Sequence, residues 1–166
     1  GHIAYLAEIA RPDVGVVINV GTAHIGVVGS VEAITRAKAE LVEALRPGGI
    51  AILNADDPLA RGMTAVSHAP TVLFGESQLS DVRATEVRLD ADARAAFTLV
   101  DRRTGASAPV SLRVVGEHQV SSALAAAATG LAVGIPLDAV ARALSAAEHA
   151  SPWRMEVRRS AAGITV

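Results

Sequence analysis

Hydrophobic and polar positions along the chain follow two different patterns, and the change comes near Gly75. Before it, residues 14–20, 50–53 and 71–74 are nearly continuous apolar runs, with Asn19 and Thr71 the polar members, bounded by glycine, proline, aspartate or asparagine. Such runs suit parallel strands covered on both faces. Between them lie helical patterns. Ser30 is placed to cap a helix with Glu32 in its first turn, and Ile34, Lys38, Leu41 and Leu45 follow at spacings of three and four on one face. Residues 59–66 form a shorter helix entered through Asp57-Pro58, a cap followed by a first-turn proline. Residues 3–10 read as a helix closed by Arg11-Pro12, because proline disfavours helical geometry in the residue before it. The order β-α-β-α-β predicts a parallel sheet with right-handed crossovers.

After Gly75, residues 82–89, 95–100 and 110–115 alternate apolar with polar, separated by Asp90-Ala91-Asp92 and Arg102-Arg103-Thr104-Gly105. This predicts an antiparallel meander attached to the parallel sheet, with one solvated face carrying the arginines. Gly116-Glu117-His118 opens an alanine-rich helix running to about Val133, broken by Gly134-Ile135-Pro136, and a second helix covers 137–147. Both are poor in charge and are expected to pack on the parallel strands. Ala150-Ser151-Pro152 reads as a linker, with 155–159 and 163–166 as the first hairpin of another domain. The fold class is therefore α/β: a parallel sheet with flanking helices plus a small antiparallel sheet. The expected division is 1–150 and 151–166.

Composition sharpens this picture. A chain of 166 residues is long enough for a proper core, but aromatics are 2% against 51% hydrophobic, so alanine and small aliphatics must fill it. Helices and sheet are therefore expected to approach closely. A net charge of -2 argues against nucleic acid or an anionic membrane surface as partner. The chain has no cysteine, which removes disulfides, thiolate metal sites and cysteine nucleophiles. With no apolar run of spanning length and no signal peptide in view, a cytoplasmic protein is the default. The chain opens inside a helical pattern and stops inside an extended one, so it is expected to be a piece of something larger.

Candidate chemistry gathers where the first strand meets its loop, since ligands of open α/β sheets bind beyond the carboxyl ends of strands. Asn19, Thr22 and His24 lie there, in a loop with glycines at 21, 26 and 29, and the following helix carries Lys38 back toward them. Lys38 is the sole lysine; the other fourteen basic residues are arginine. An amine can deprotonate and react with carbon dioxide or a carbonyl, whereas guanidinium stays charged. The plainer alternative is a solvated helix lysine, although its place on an apolar stripe calls for a partner or a changed charge state. His24 has no second histidine at metal-binding helical spacing. Asn54 and Asp56 could face a ligand, while Asp57 reads first as a cap. The sequence contains no GxxxxGK[ST], no GxGxxG and no G-x-S-x-G. From the residues alone the reaction stays open.

The segments NVGTAHIGVVGSVEAITRAKAEL, LNADDP, GEHQVSSALAAA and SPWRMEV, in that order, resemble the Mur ligase family over essentially the whole chain. The wording of GHIAYLAEIARPDVGVVINVGTAHIG is most similar to members that add D-alanyl-D-alanine to UDP-N-acetylmuramoyl-tripeptide in peptidoglycan synthesis. Another Mur ligase, a folylpolyglutamate synthase, or a non-catalytic binding module of the same fold are the alternatives. The resemblance implies the later part of a central ATP-binding domain over 1–150 and the start of a C-terminal amino-acid-binding domain over 151–166. It implies ATP and Mg²⁺ as cofactors, with the remaining domains of the same protein as partners. By the same resemblance His24 is a magnesium ligand, and Lys38 is carbamylated so that its new carboxylate positions a second magnesium. Arg154 reaches the ATP phosphates, Asn19 and Thr22 shape the metal and phosphate loop, and Asn54 and Asp56 are weaker matches. The family pattern H-N-x-x-N after GEH stands here with Gln119 and Ser122 at the asparagine positions. Gln119 keeps an amide donor and acceptor; Ser122 does not.

Overall fold

The structure is a computed structural model, and it describes residues 1–21 and 30–148. Among these, the elements in chain order are α1 (His2–Ala10), β1 (Val14–Val17), α2 (Val31–Glu43), β2 (Ile50–Asn54), α3 (Pro58–Gly62) running into a 3-10 turn (Met63–Val66), β3 (Thr71–Gly75), β4 (Val82–Leu89), β5 (Arg94–Asp101), β6 (Ala106–Val115), α4 (Gln119–Ala132) and α5 (Leu137–Ala146). The expected hairpin beyond residue 150 lies outside the described residues.

All six strands join one sheet in the order β1-β2-β3-β4-β5-β6. β1, β2 and β3 run parallel, with Val16 opposite Ile52 and Ile52 opposite Val72, as the apolar runs predict. β4, β5 and β6 form the antiparallel meander. The meander is continuous with the parallel part, and the joint between them is parallel, made only by Phe74 opposite Val82 and Gly75 opposite Arg83. A parallel connection ordinarily needs a dozen residues or more, because it retraces a whole strand. Here residues 76–81 retrace two positions, about 7 Å at the rise of a strand. Asp81 fastens the joint: Leu73 N donates to its carboxylate at 2.8 Å and its own N–H donates to Leu73 O at 2.8 Å.

Two cores flank the sheet. On one face Ile52, Val72, Phe74, Val82, Phe97, Leu99 and Val110 meet the buried side of α4, namely Val120, Ala123, Leu124, Ala125, Ala127 and Ala128. On the other, Val17, Ala51 and Leu53 meet Ile34, Val42 and Leu45 of α2 and its exit, with Ala60 and Met63 closing the end. β2 shows the consequence of being covered twice, since Ala51, Ile52 and Leu53 are all fully buried. In β5 and β6 burial alternates along the strand, so the meander keeps one face in water.

Two expectations are corrected. α4 packs centrally on β2, β3 and β4, but α5 lies on β6 rather than on the parallel strands. Six strands spaced about 4.8 Å apart make a sheet too wide for one helix of roughly 10 Å diameter, so the apolar face of the meander requires its own cover. Val140 and Ala141 supply it, and Ser111 N donates to Ser145 Oγ at 3.2 Å. β1 also ends at Val17 rather than Val20, leaving Ile18 and Asn19 exposed while Val20 is buried.

Within the short loop before β4, Ser80 is completely buried and its hydroxyl has no hydrogen-bond partner among the described residues. A buried hydroxyl without a partner opposes folding. Ser80→Ala is therefore expected to be neutral or to stabilise the protein by up to about 1 kcal/mol in urea unfolding; a loss of stability would reveal a partner such as an ordered water.

Candidate functional site

The site is built where β1 leaves the sheet. α2 starts cleanly: Ser30 Oγ accepts from Ala33 N at 3.2 Å, and Glu32 sits in the first turn. A hydrogen bond from its own backbone N–H, then one from Ser30, holds the Glu32 carboxyl below its ordinary range. The buried side of α2 carries Ile34, Ala39 and Val42, and Lys38 lies half-buried at the margin of that side. Its Nζ donates to the backbone oxygen of Asn19 at 2.6 Å. Among the described residues Lys38 has no carboxylate partner. It lines a cavity of about 470 Å³ together with Ile3, Val16, Asn19, Leu41 and Ser122. The expected pairing of the β1 exit with the returning lysine is therefore present.

The last residue of β2 and the loop after it are tied to the same place. Asn54 is buried; its Nδ2 donates to Ile18 O at 2.8 Å and to Ser121 Oγ at 3.4 Å, and its Oδ1 accepts from Asp56 N at 2.8 Å. Both ends of its amide thus have protein partners in this arrangement. Asp57 caps α3 by accepting from Leu59 N at 2.9 Å and Ala60 N at 3.1 Å, as expected. Its second oxygen also accepts from Val20 N at 2.6 Å.

Asp56 turns instead to the end of β3, accepting from Glu76 N at 2.7 Å and Ser77 N at 2.8 Å. Gly75 makes this possible: a Cβ there would stand 2.5 Å from the Asp56 carboxylate, and its φ of +148° disfavours side-chain-bearing residues. Burial first, then the charges of Asp56 and Glu117, push the Glu76 carboxyl above its ordinary range. Glu117 belongs to the turn entering α4. The first turn of α4 thus faces the carboxyl ends of the strands, with Ser121 on Asn54 and Ser122 on the lysine cavity. Gln119 is not among the residues lining that cavity; its amide nitrogen lies 3.1 Å from the His118 ring. Thr22, His24 and Arg154 lie outside the described residues.

Other hollows carry less chemistry. Two between β6 and α5, of about 400 and 650 Å³, are lined by Arg94, Arg113 and Arg142 with Asp138 and Glu148 offsetting the charge. No group of three or more histidine, aspartate or glutamate side chains among the described residues is arranged to hold a metal ion.

Comparison with known families matches residues 1–130 to the Mur ligase middle domain. The chain belongs to the Mur ligase family. Among Mur ligases, the UDP-N-acetylmuramoyl-tripeptide--D-alanyl-D-alanine ligase of Mycobacterium tuberculosis is 47% identical over 166 residues, 100% of this chain and 32% of that protein. The Escherichia coli protein of the same name is 33% identical over 147 residues, 87% of this chain and 32% of its own length. MurF from Acinetobacter baumannii superposes with a TM-score of 0.85 at 33% identity, over 96% of this chain and 34% of that one. MurF ligase from Thermotoga maritima, solved in complex with ADP, gives 0.82 at 25% identity, over 97% and 36%. The chain thus spans about a third of the length of the curated Mur ligases it matches.

Glu76 supplies a pH test of the site's electrostatics. Because its folded-state pKa is raised, the favourable contribution is present below the ordinary carboxylate range and is lost as pH rises through the raised value. Glu76→Gln is expected to raise the melting temperature slightly at pH 7, with the gain disappearing toward about pH 4. An equal shift at both pH values would assign the effect to packing rather than charge.

Proposed function

We propose that the whole protein to which this chain belongs is an ATP-dependent amide-bond ligase that adds D-alanyl-D-alanine to UDP-N-acetylmuramoyl-tripeptide in peptidoglycan synthesis. The observation that carries this reading is the solitary lysine amine, half-buried in a cavity at the carboxyl end of a parallel strand and held by a carbonyl rather than a carboxylate. The relatives that share this stretch bear that activity in their names, and one neighbour was solved with ADP. In this reading residues 1–150 are the later part of the central ATP-binding domain and 151–166 open the C-terminal amino-acid-binding domain. The remaining domains supply the UDP-substrate site and the rest of the nucleotide site, so this chain alone catalyses nothing. The protein works in the cytoplasm.

The reaction fits the family's chemistry. ATP transfers its γ-phosphoryl group to the substrate carboxylate, and the amine of D-alanyl-D-alanine attacks the acyl phosphate, releasing ADP and phosphate. Lys38 contributes by adding carbon dioxide: its nitrogen lone pair forms the N–C bond, and one proton leaves. The product keeps one N–H, so the bond to Asn19 O survives carbamylation. The new carboxylate supplies the hard oxygen donors that Mg²⁺ prefers. This donor chemistry fits the site, because a carbamate provides the anion that the described side chains around Lys38 otherwise lack. Lys38 as its carbamate and His24 would hold the metal, whose chemistry is to neutralise phosphate charge. Arg154 would reach the ATP phosphates, a contact suited to guanidinium geometry. Asn19 and Thr22 shape the loop around them, and Gln119 offers the amide on the adenine side.

Two measurements on the full-length protein test this. Lys38→Ala should lower the ligation rate about a thousandfold or more, with partial recovery when a short carboxylic acid such as acetate is added. Near-normal turnover without rescue would take Lys38 out of the mechanism. Arg154→Ala should raise the KM for ATP about tenfold while leaving binding of the UDP-linked substrate intact; weakened UDP-substrate binding instead would refute that role.

A further inference from the structure

Beyond Val17 the β1 backbone has left the ladder with β2, yet it must present the Asn19 carbonyl to Lys38. Three consecutive residues are held there from three directions. Ile18 O accepts from Asn54 Nδ2 at 2.8 Å, Asn19 O accepts from Lys38 Nζ at 2.6 Å, and Val20 N donates to Asp57 Oδ2 at 2.6 Å. The outer contacts come from the last residue of β2 and the loop after it, and both use a side chain already fixed by its own neighbourhood. Asn54 is buried with its Oδ1 on Asp56 N, and Asp57 is anchored as the cap of α3. Neither side chain is among those lining the lysine cavity.

We infer that Asn54 and Asp57 form a clamp that positions the Asn19 carbonyl, and through it the amine of Lys38, so that they are positioning residues for the lysine rather than ligand contacts. The catalytic consequence rests on the function proposed above; the clamp itself does not. The Val20 N–H belongs to the same planar peptide as the Asn19 carbonyl, so anchoring it on Asp57 sets the direction of that carbonyl, and anchoring Ile18 O holds the peptide before it. An Asn19 carbonyl so fixed favours one rotamer of a long side chain that is otherwise free to sample many. Lys38 then meets carbon dioxide with its amine already in the cavity. The Asn54–Ser121 contact, at 3.4 Å, is the weakest of the set and ties the clamp to α4 without touching the β1 exit.

The sole lysine makes the test direct, because within this stretch any amine-specific label reads Lys38. Asn54→Asp keeps the acceptor for Asp56 N but puts an oxygen where the donor to Ile18 O was. Asp57→Ser keeps a good helix cap but has only one oxygen, which cannot also serve Val20 N. In the full-length protein both variants should remain folded and acetylate at Lys38 about tenfold faster with acetic anhydride, read by mass spectrometry of the Lys38 peptide, as the amine loses its fixed acceptor. Ser121→Ala, which spares the β1 exit, should label at the wild-type rate. Wild-type labelling in both clamp variants, or equal acceleration in Ser121→Ala, would overturn the clamp. Should one variant fail to fold, the other decides alone. Ligation assays then separate the two ideas. If both stand, Asn54→Asp and Asp57→Ser raise the bicarbonate concentration for half-maximal turnover about tenfold while the KM for the UDP-linked substrate stays put. Faster labelling with unchanged bicarbonate dependence would leave the clamp standing and reject the carbamate reading.

Discussion

Everything at the functional end of this domain depends on how closely α4 lies on the sheet. Four of its six buried residues are alanine, and they rest against Ile52, Val72 and Phe74 with no aromatic of their own. Small side chains let a helix backbone approach a sheet more closely than leucine or phenylalanine would. That approach carries the first turn of α4 to the carboxyl ends of β1 and β2, where Ser121 meets Asn54 and Ser122 enters the wall of the lysine cavity. An aromatic-poor composition is thus more than a statistical peculiarity. It sets the distance at which the two polar edges, strand ends and helix start, come together.

The same edge shows how a parallel sheet ends. Once β1 leaves its ladder with β2, its peptide groups must find partners elsewhere or face water. The chain solves this with two side chains of the LNADD segment, Asn54 on Ile18 O and Asp57 on Val20 N, while Asp56 between them turns to the amides beyond Gly75. The segment stitches β1, β2 and β3 at the end where ligands of such sheets bind. Burial raises the pKa of Glu76 first, and tying Asp56 there adds to it by placing a second carboxyl beside it, with Glu117 entering from α4.

Much of this was legible in the sequence. Nearly continuous apolar runs identify β1, β2 and β3, because a strand covered on both faces has no polar side to show; alternation identifies β4, β5 and β6 for the opposite reason. Ser30 and Asp57 announce their caps, and the lone lysine on a helix stripe points to the cavity. What periodicity does not carry is partner identity. Nothing in the spacing says that β3 and β4 join in parallel over two residues, since that depends on how far a six-residue loop must travel back. Nor does it say that α5 covers β6, which follows from the width of the finished sheet. Asn54 is the clearest case: nothing in its spacing says that the amide of a strand-end asparagine meets Ile18 O, which depends on where β1 leaves the sheet.

The choice of lysine at position 38 follows from the same geometry. A guanidinium would bring five fixed donors to a cavity wall that is mostly aliphatic among the described residues, with Asn19 and Ser122 as the polar residues beside Lys38. Most of those donors would be left facing apolar surface. An ammonium rotates its three donors freely, and it can also become neutral or add a carboxyl group. The β1 exit supplies one carbonyl, and a carbamate nitrogen has one N–H to give it. One carbonyl therefore suits the free amine, and it would equally suit the carbamate proposed above.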